Sequence, residues 1–349
     1  MKHMIFGESH GPAIGVVLED VPPGLALDLE AVEREMARRA PGRDSLSTPR
    51  KEADQVEILS GLFEGKTCGT PLCAVIRNTD TRSKDYQPDL PRPGHADYAG
   101  HVRYDGCNDY RGGGHFSGRL TAPLVFAGAV AKQLLAERGV YVGAHIRSIC
   151  GIEDQPFDGL HEDRALFEAL AAKPFPTLSD EAGAQMQDAI RRAREDRDSI
   201  GGSIECCATG LPAGLGSPDY GRNVEGIVSQ HLFAVPAVKA IAFGAGFHFA
   251  SMRGSEANDP LYVEQGRVLT RTNHTGGVNG GITNGMPIWF TVAIRPTPSI
   301  AQPQETVSLS SCESATLTVK GRHDPCIVHR AVPVVEAACA LAMCEILEI

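Results

Sequence analysis

Aromatic side chains are scarce: 6% of the 349 residues, with a single tryptophan. That leaves little for stacking nucleobases, and a net charge of −10 with a pI near 5.6 argues against general binding to nucleic acid or anionic membranes. Long hydrophobic runs are missing. No segment approaches the ~20 apolar residues that cross a bilayer, and the opening MKHMIFGESHG has the character of neither a signal nor a transit peptide. The ten cysteines form no C-x-x-C pair and are scattered singly apart from Cys206–Cys207. They read as mostly buried free thiols in a cytoplasmic protein, not as a disulfide or zinc framework. No solenoid-type repeat is visible. What remains is an ordinary globular composition, 42% hydrophobic and 22% charged, long enough for one large domain or two closely packed ones.

β-branched residues predict a strand or hairpin arm over Gly11–Val21, stopped by Pro22-Pro23-Gly24. Asp28 caps a predicted helix over about Leu29–Ala40, with Pro41-Gly42 ending it. Arg38, Arg39 and Arg43, then Arg50 and Lys51, cluster at its exit; they read equally as a solvated face or as an anion grip. Residues 56–77 alternate like strands, and Thr79–Tyr110 is a long polar, aperiodic segment of the kind that carries function. Leu120–Leu135 is apolar on all sides and predicts a central helix, followed by a strand over Val140–Ile149. Helices follow at 160–173 and 179–196, the second ending in the solvated run RRAREDRD. Strands are predicted at Ser203–Ala208, Val238–Phe243 and Pro287–Arg295, a short helix at 223–232, and a last helix from about Val332 to Leu347. Elements interspersed without a βαβ rhythm define an α+β chain.

Four motifs carry candidate chemistry. GESHG at 7–11 matches the G-x-S-x-G nucleophile elbow, but a strand pattern follows the serine where that motif needs a helix, which disfavours a serine hydrolase built on Ser9. His95, Asp97 and His101 have metal-like spacing in a proline-rich loop without rigid support, so metal binding is not expected. RGGGHFSGR at 111–119 lacks both the Lys-Ser/Thr of a phosphate loop and the preceding strand of a dinucleotide site. It reads equally as a tight turn before a core helix or as an anion-binding loop at that helix start. RHDPC at 322–326 is either a capping cluster or an anion contact beside a base.

Taken in order along the chain, these segments resemble the chorismate synthase family. The resemblance rests on GESHG, RRAPG at 38–42, NTDTRSKDY at 78–86, RPGHADY at 92–98 and DYRGGGHFSGR at 109–119. It continues through DSIGG at 198–202, GLPAGLG at 210–216, NHTGGVNGGITNG at 273–285, GRHDPC at 321–326 and RAVPVVEA at 330–337. It implies one catalytic domain over residues 1–349, with helices packed between antiparallel sheets, assembled as a homotetramer. It implies a lyase that converts 5-enolpyruvylshikimate 3-phosphate to chorismate by 1,4-anti elimination. The cofactor would be reduced FMN, with NADPH or an external flavin reductase as the source of electrons.

By the same resemblance, His10 lies near the leaving phosphate and His95 near the flavin. Asp324 assists removal of the ring proton, and Ser9 and Ser117 stand near the reacting centre. Arg39, Arg119 and Arg330 contact the substrate. His115, Phe116, Ser117, Gly280, Arg295, Pro296, Thr297, Pro298, Ser299 and Arg322 contact the cofactor. Histidine suits proton exchange near neutrality, and guanidinium forks grip phosphate and carboxylate bidentately. The chain departs from the family where many members have GGGRSSARET: His115 replaces an arginine and Phe116 a serine. Ser45 stands where an arginine is common, with Arg43 and Arg50 nearby to compensate. Fewer residues than usual precede GESHG. These departures motivate a second reading, a flavin-binding protein without lyase activity.

Overall fold

The protein is described by a computed structural model over residues 1–42, 46–47, 52, 54–79, 86–319 and 323–349. Two antiparallel sheets carry the fold. The first comprises β1 (Lys2–Gly7), β2 (Ala13–Glu19), β3 (Val56–Ser60) and β4 (Leu72–Arg77), in the spatial order β1-β2-β4-β3. The second comprises β5 (Tyr141–Ile149), β6 (Ile152–Glu153), β7 (Gly202–Thr209), β8 (Val238–Phe243) and β9 (Ile288–Ile294), ordered β8-β9-β7-β5-β6. Register places Ala13 opposite Arg77, and Trp289 opposite Cys207.

Helices fill the space between the sheets. α1 (Leu29–Arg39) begins where the Asp28 carboxylate accepts from the Ala31 N–H at 2.9 Å. α2 (Asp97–Arg103) is a helix inside the segment read as aperiodic, so Asp97 and His101 stand one turn apart on a helix. α3 (Thr121–Ala136) is buried on almost every side, as its uniformly apolar sequence requires. Gly128 lets it meet the last helix: a Cβ there would lie 2.2 Å from Cβ of Ala337. α4 (Arg164–Ala172), α5 (Asp180–Glu195), α6 (Val224–Phe233) and a four-residue turn, α7 (Gly254–Ala257), follow. α8 (Val328–Ile346) starts a turn earlier than predicted, with Pro333 inside the helix. Successive β5 residues face opposite ways: Gly143 accommodates Phe167 of α4, while the Ala144 N–H donates to Glu336 of α8. The layers therefore run sheet, helices, sheet, helices. Among the described residues no helix is long and apolar enough to cross a membrane.

Among the described residues of the basic exit of α1, Arg38 and Arg39 do not form a solvated face. Arg38 turns inward to Glu336 at 2.8 Å and to Glu35 at 3.0 Å, and Lys132 of α3 also reaches Glu336, at 2.6 Å. This network joins α1, α3 and α8 at their crossing. Arg43, Arg50 and Lys51 lie outside the described residues. The RRAREDRD run is only partly the expected solvated face: Arg191 pairs with Asp188 one turn back, but Arg194 donates to the Ser47 carbonyl at 2.9 Å. The cysteines are all free, but they divide: five are buried and four exposed, so burial is not their common feature.

The second sheet holds a fully buried histidine, His145, on its outer face. Nε2 lies 2.8 Å from Glu205, and Nδ1 lies 3.2 Å from Asp154 and 3.1 Å from the Ile146 carbonyl. Both ring nitrogens face only acceptors, so both carry protons and the ring is an imidazolium. Burial alone would lower its pKa; the hydrogen bonds and charges of Asp154 and Glu205 outweigh that and raise it. A raised histidine stabilises the fold fully below the unfolded value of ~6.5, and that contribution is lost as pH rises through the folded value. The wild-type urea midpoint is therefore expected to fall, as pH rises above about 6.5, more steeply than that of His145→Gln. Parallel curves would show that the ring is neutral.

The second glycine-rich loop, 273–285, is pinned by Asn273, whose side chain donates to the Gly159 and Pro287 carbonyls at 2.8 Å and accepts from the Gly277 N–H at 2.7 Å. The indole N–H of Trp289 donates to the Asn273 carbonyl at 2.9 Å.

Candidate active site

Three consecutive glycines form the centre of the site. Gly112, Gly113 and Gly114 have φ of +61°, +85° and +54°, a left-handed run that side-chain-bearing residues adopt only at a cost. Space forbids side chains as well. A Cβ on Gly112 would lie 2.0 Å from Nδ1 of His10, and one on Gly113 would lie 3.0 Å from Cε1 of His95. Two imidazoles from distant parts of the chain are thus brought to one peptide unit.

His10 sits in the connection between β1 and β2, where Gly7 (φ +96°) turns the chain away from the strand. A strand follows the serine, so the nucleophile-elbow geometry is absent, as the sequence pattern indicated. Ser9 Oγ lies 3.3 Å from Nδ1 of His10, and the Ser9 N–H donates to the Gly114 carbonyl at 3.1 Å. Tyr86 meets the His10 ring edge to face at 5.4 Å.

His95 precedes α2. Its Nδ1 lies 2.7 Å from Asp97, and Asp97 also accepts from Nε and Nη2 of Arg92 at 2.7 and 2.8 Å. Burial works against a charge on Asp97, yet these hydrogen bonds and charges hold its carboxyl well below the usual carboxylate range. Two arginines tie this loop to residues 295–299: Arg92 donates to Ser299 Oγ at 3.1 Å, and Arg295 donates back to the Gly94 carbonyl. Thr297 Oγ1 donates to the Asp324 carbonyl at 2.8 Å, its own carbonyl accepts from Ser199, and Pro296 packs over Gly201. The Pro298 carbonyl accepts from Gln304 at 3.4 Å.

The arginines gather on the other side. Ser117 Oγ caps a short turn by accepting from the Arg119 N–H at 3.3 Å. Arg119 and Arg39 share the buried carboxylate of Asp54, Arg39 at 2.8 Å; Arg119 also pairs with Glu52 at 3.1 Å. Arg39 further donates to Thr121 Oγ1 and the Gly118 carbonyl at 3.1 and 2.9 Å. Arg330 donates to both Asp324 oxygens at 3.0 Å and, through Nε, to the Arg39 carbonyl at 3.2 Å. Burial pulls Arg39 down to about 10, against the opposing charge of Asp54 and with help from Arg330 and Arg119. It remains charged at neutral pH, in a positive field. Burial likewise disfavours a charge on Asp54, but Arg39 and Arg119 keep its carboxyl below the ordinary range. The Nη2 of Arg119 is buried without a hydrogen-bond partner among the described residues. A buried donor left open in this way suits an anion.

Three of the expected residues behave differently. Exposed His115 turns back to the Gly7 carbonyl at 2.9 Å, and Phe116 packs on Gly100 of α2 and on Tyr104 just after it. Gly280 is not brought to the cluster within one chain. It tops a hairpin whose next residue, Gly281, meets Asn223, near the Arg222–Glu348 pair at the C-terminal end of α8, whereas Asp324 and Arg330 stand at the other end. Nineteen helical residues separate those ends by roughly 28 Å. Arg322 and Ser45 lie outside the described residues. No group of side chains suited to a metal ion occurs among the described residues, the His95, Asp97 and His101 set included. Arg92, Asp54 and Asn78 were not singled out from the sequence as site residues, and Asp97 was weighed only as a metal ligand, though Arg92, Asp97 and Asn78 fall inside the motifs quoted above.

A layered α+β scaffold that folds two imidazoles, a carboxylate and three arginines around one glycine loop defines an enzyme of the acid–base kind. The chain belongs to the chorismate synthase family: the family model described as chorismate synthase matches residues 1–347. Chorismate synthase of Thermococcus gammatolerans is 47% identical over 99% of this chain and 95% of its own length. That of Aeropyrum pernix is 47% identical over 98% and 90%, and that of Dehalococcoides mccartyi is 42% identical over 98% and 93%. A solved crystal structure of chorismate synthase superposes with a TM-score of 0.78 at 29% identity, covering 99% of this chain and 91% of that one.

Proposed function

We propose that this chain converts 5-enolpyruvylshikimate 3-phosphate to chorismate and phosphate, the last common step toward the aromatic amino acids. The observation that carries this reading is the convergence of His10 and His95 on Gly112–Gly113 beside the Arg39–Arg119–Arg330 cluster. In the elimination the allylic C–O bond to phosphate breaks and a ring C–H bond breaks, leaving a conjugated diene. Arg39, Arg119 and Arg330 hold the phosphate and carboxylates and offset charge developing on the leaving oxygen. His10 supplies the proton that the departing phosphate takes up. Asp324, steered by Arg330, assists removal of the ring proton. Ser9 orients His10, and Ser117 fixes the start of the arginine turn.

The residues fit a flavin. The glycine loop leaves backbone bare beside His95, and the buried open donor on Arg119 lies at the next turn. His95, Ser117, Arg295–Ser299 and Arg322 would hold it, with Gly280 contributed from outside this cluster. Reduced FMN, when bound, supplies electron density that eases loss of the allylic phosphate without net oxidation or reduction. NADPH or a separate flavin reductase would keep it reduced. The chain works as one catalytic domain over residues 1–349, a cytoplasmic homotetramer; its core runs unbroken from β2 through α3 and α8 to β7 and β9, which supports the single domain. The test is anaerobic chorismate formation from the phosphorylated precursor with reduced FMN. Folded, flavin-loaded protein that releases no chorismate would overturn the reading.

A further inference from the structure

We propose that Asn78 is a positioning residue for the elimination: it locks the turn that carries His10 to the guanidinium of Arg119. This rests on the functional reading above. Asn78 is the first residue after β4, one beyond the Ala13–Arg77 pair, and its N–H donates to the Pro12 carbonyl at 3.2 Å. The sheet therefore delivers its side chain opposite the Glu8–Gly11 turn.

The amide is used on both sides. Nδ2 donates to the Glu8 carbonyl at 3.0 Å and to the Gly11 carbonyl at 2.8 Å, closing both ends of the turn that contains Ser9 and His10. Oδ1 accepts from Nε of Arg119 at 3.1 Å. Two carbonyls demand a donor and a guanidinium demands an acceptor, so the orientation of the amide follows from its partners. No other uncharged side chain offers this combination, except a longer glutamine. Arg119 is meanwhile held by Asp54 through Nη1, which leaves Nη2 as its open donor. Asn78 thus fixes the turn that carries the imidazole and, together with Asp54 and Glu52, the direction of the guanidinium. Through Asp54, Arg39 and the Arg39 carbonyl, the same frame reaches Arg330 and Asp324. The acid and base ends of the reaction are connected by one continuous set of bonds.

A displacement of about 1 Å at a reacting group is enough to cost about 100-fold in rate. Asn78→Asp keeps the shape and the acceptor for Arg119 but sets a carboxylate against two carbonyls; Asn78→Ala removes both functions. Each is expected to lower kcat by about 30- to 100-fold with KM changed less than about threefold. The discriminating measurement repeats Asn78→Asp in a His10→Ala background. If Asn78 acts through His10, the second substitution costs less than about threefold there. An undiminished loss in that background, or wild-type kcat in Asn78→Asp, would overturn the proposal. A thermal melt of Asn78→Asp separates misplacement from unfolding: a fold lost in that isosteric variant would make Asn78 a structural clamp and also overturn it. Wild-type protein that makes no chorismate would instead overturn the functional reading.

Discussion

Substituting His10 or His95 by alanine is expected to lower chorismate formation by about 10²- to 10⁴-fold, the range for loss of a positioned proton donor or acceptor. Neither change should disturb the fold. His10 lies in a turn closed by Asn78 and by the Gly11 N–H to Glu8 carbonyl bond, none of which uses the imidazole. His95 leaves behind an Asp97 still held by two nitrogens of Arg92. The two variants should nevertheless differ in character. Nδ1 of His95 is engaged by a carboxylate that stays ionised across the working range, so Nε2 is the nitrogen presented toward Gly113. His10 instead has the hydroxyl of Ser9 and the ring of Tyr86 beside it. Single-turnover rates with reduced FMN, read beside urea midpoints, check both statements; wild-type rates in both variants would remove the assigned roles.

Glu336→Ala is expected to be the most destabilising single change in the helical layer, by about 3–5 kcal/mol, because it strands two buried cations. Arg38 and Lys132 both point at this carboxylate, and the Ala144 N–H adds a third donor. Burial opposes its ionisation, but Arg38 and Lys132 draw its pKa down to about 2 from 4.5. A depressed carboxylate contributes fully above the unfolded value and loses that contribution as pH falls through the folded one, here between 4.5 and about 2. Wild type should therefore lose stability on acidification across that window, and Glu336→Ala should lose less there. Glu35→Ala should cost only about 1 kcal/mol, since Glu336 still satisfies both cations. Chemical denaturation at pH 7 and in acid would show either the ordering Glu336 over Glu35 or equal effects, which would dismiss the network.

The regular elements were legible because their periods are local. The all-apolar run of α3, the Asp28 cap and the alternation of β2 and β9 lie within windows of ten or so residues. α2 was not legible: HADYAGHVR offers no apolar stripe, and the side chain that packs on it where Gly100 leaves room, Phe116, lies outside that window. α8 began early because Pro333 looks like a first-turn proline, while a preceding turn had already formed from Val328. Arg38 and Arg39 could not be told from a solvated face for a similar reason. Their partners, Glu336 and Asp54, are remote in sequence, and no local pattern announces a buried ion pair. The histidines, Asp324 and the three arginines came from motif order. Asp54 was out of reach, Asn78 was visible only as a motif letter, and Asp97 was considered only as a metal ligand, because supporting groups are defined by what they touch.

The lone tryptophan gives the molecule an optical label with a fixed address. Trp289 donates to the Asn273 carbonyl at the mouth of the second glycine-rich loop, at the opposite end of its strand from Arg295. The extended chain from Trp289 to Arg295, whose side chain reaches the Gly94 carbonyl next to His95, spans roughly 20 Å. Intrinsic emission therefore reports on the far hairpin, and a colour shift on adding ligand would register a change at that loop, not contact at the histidine cluster of the same chain.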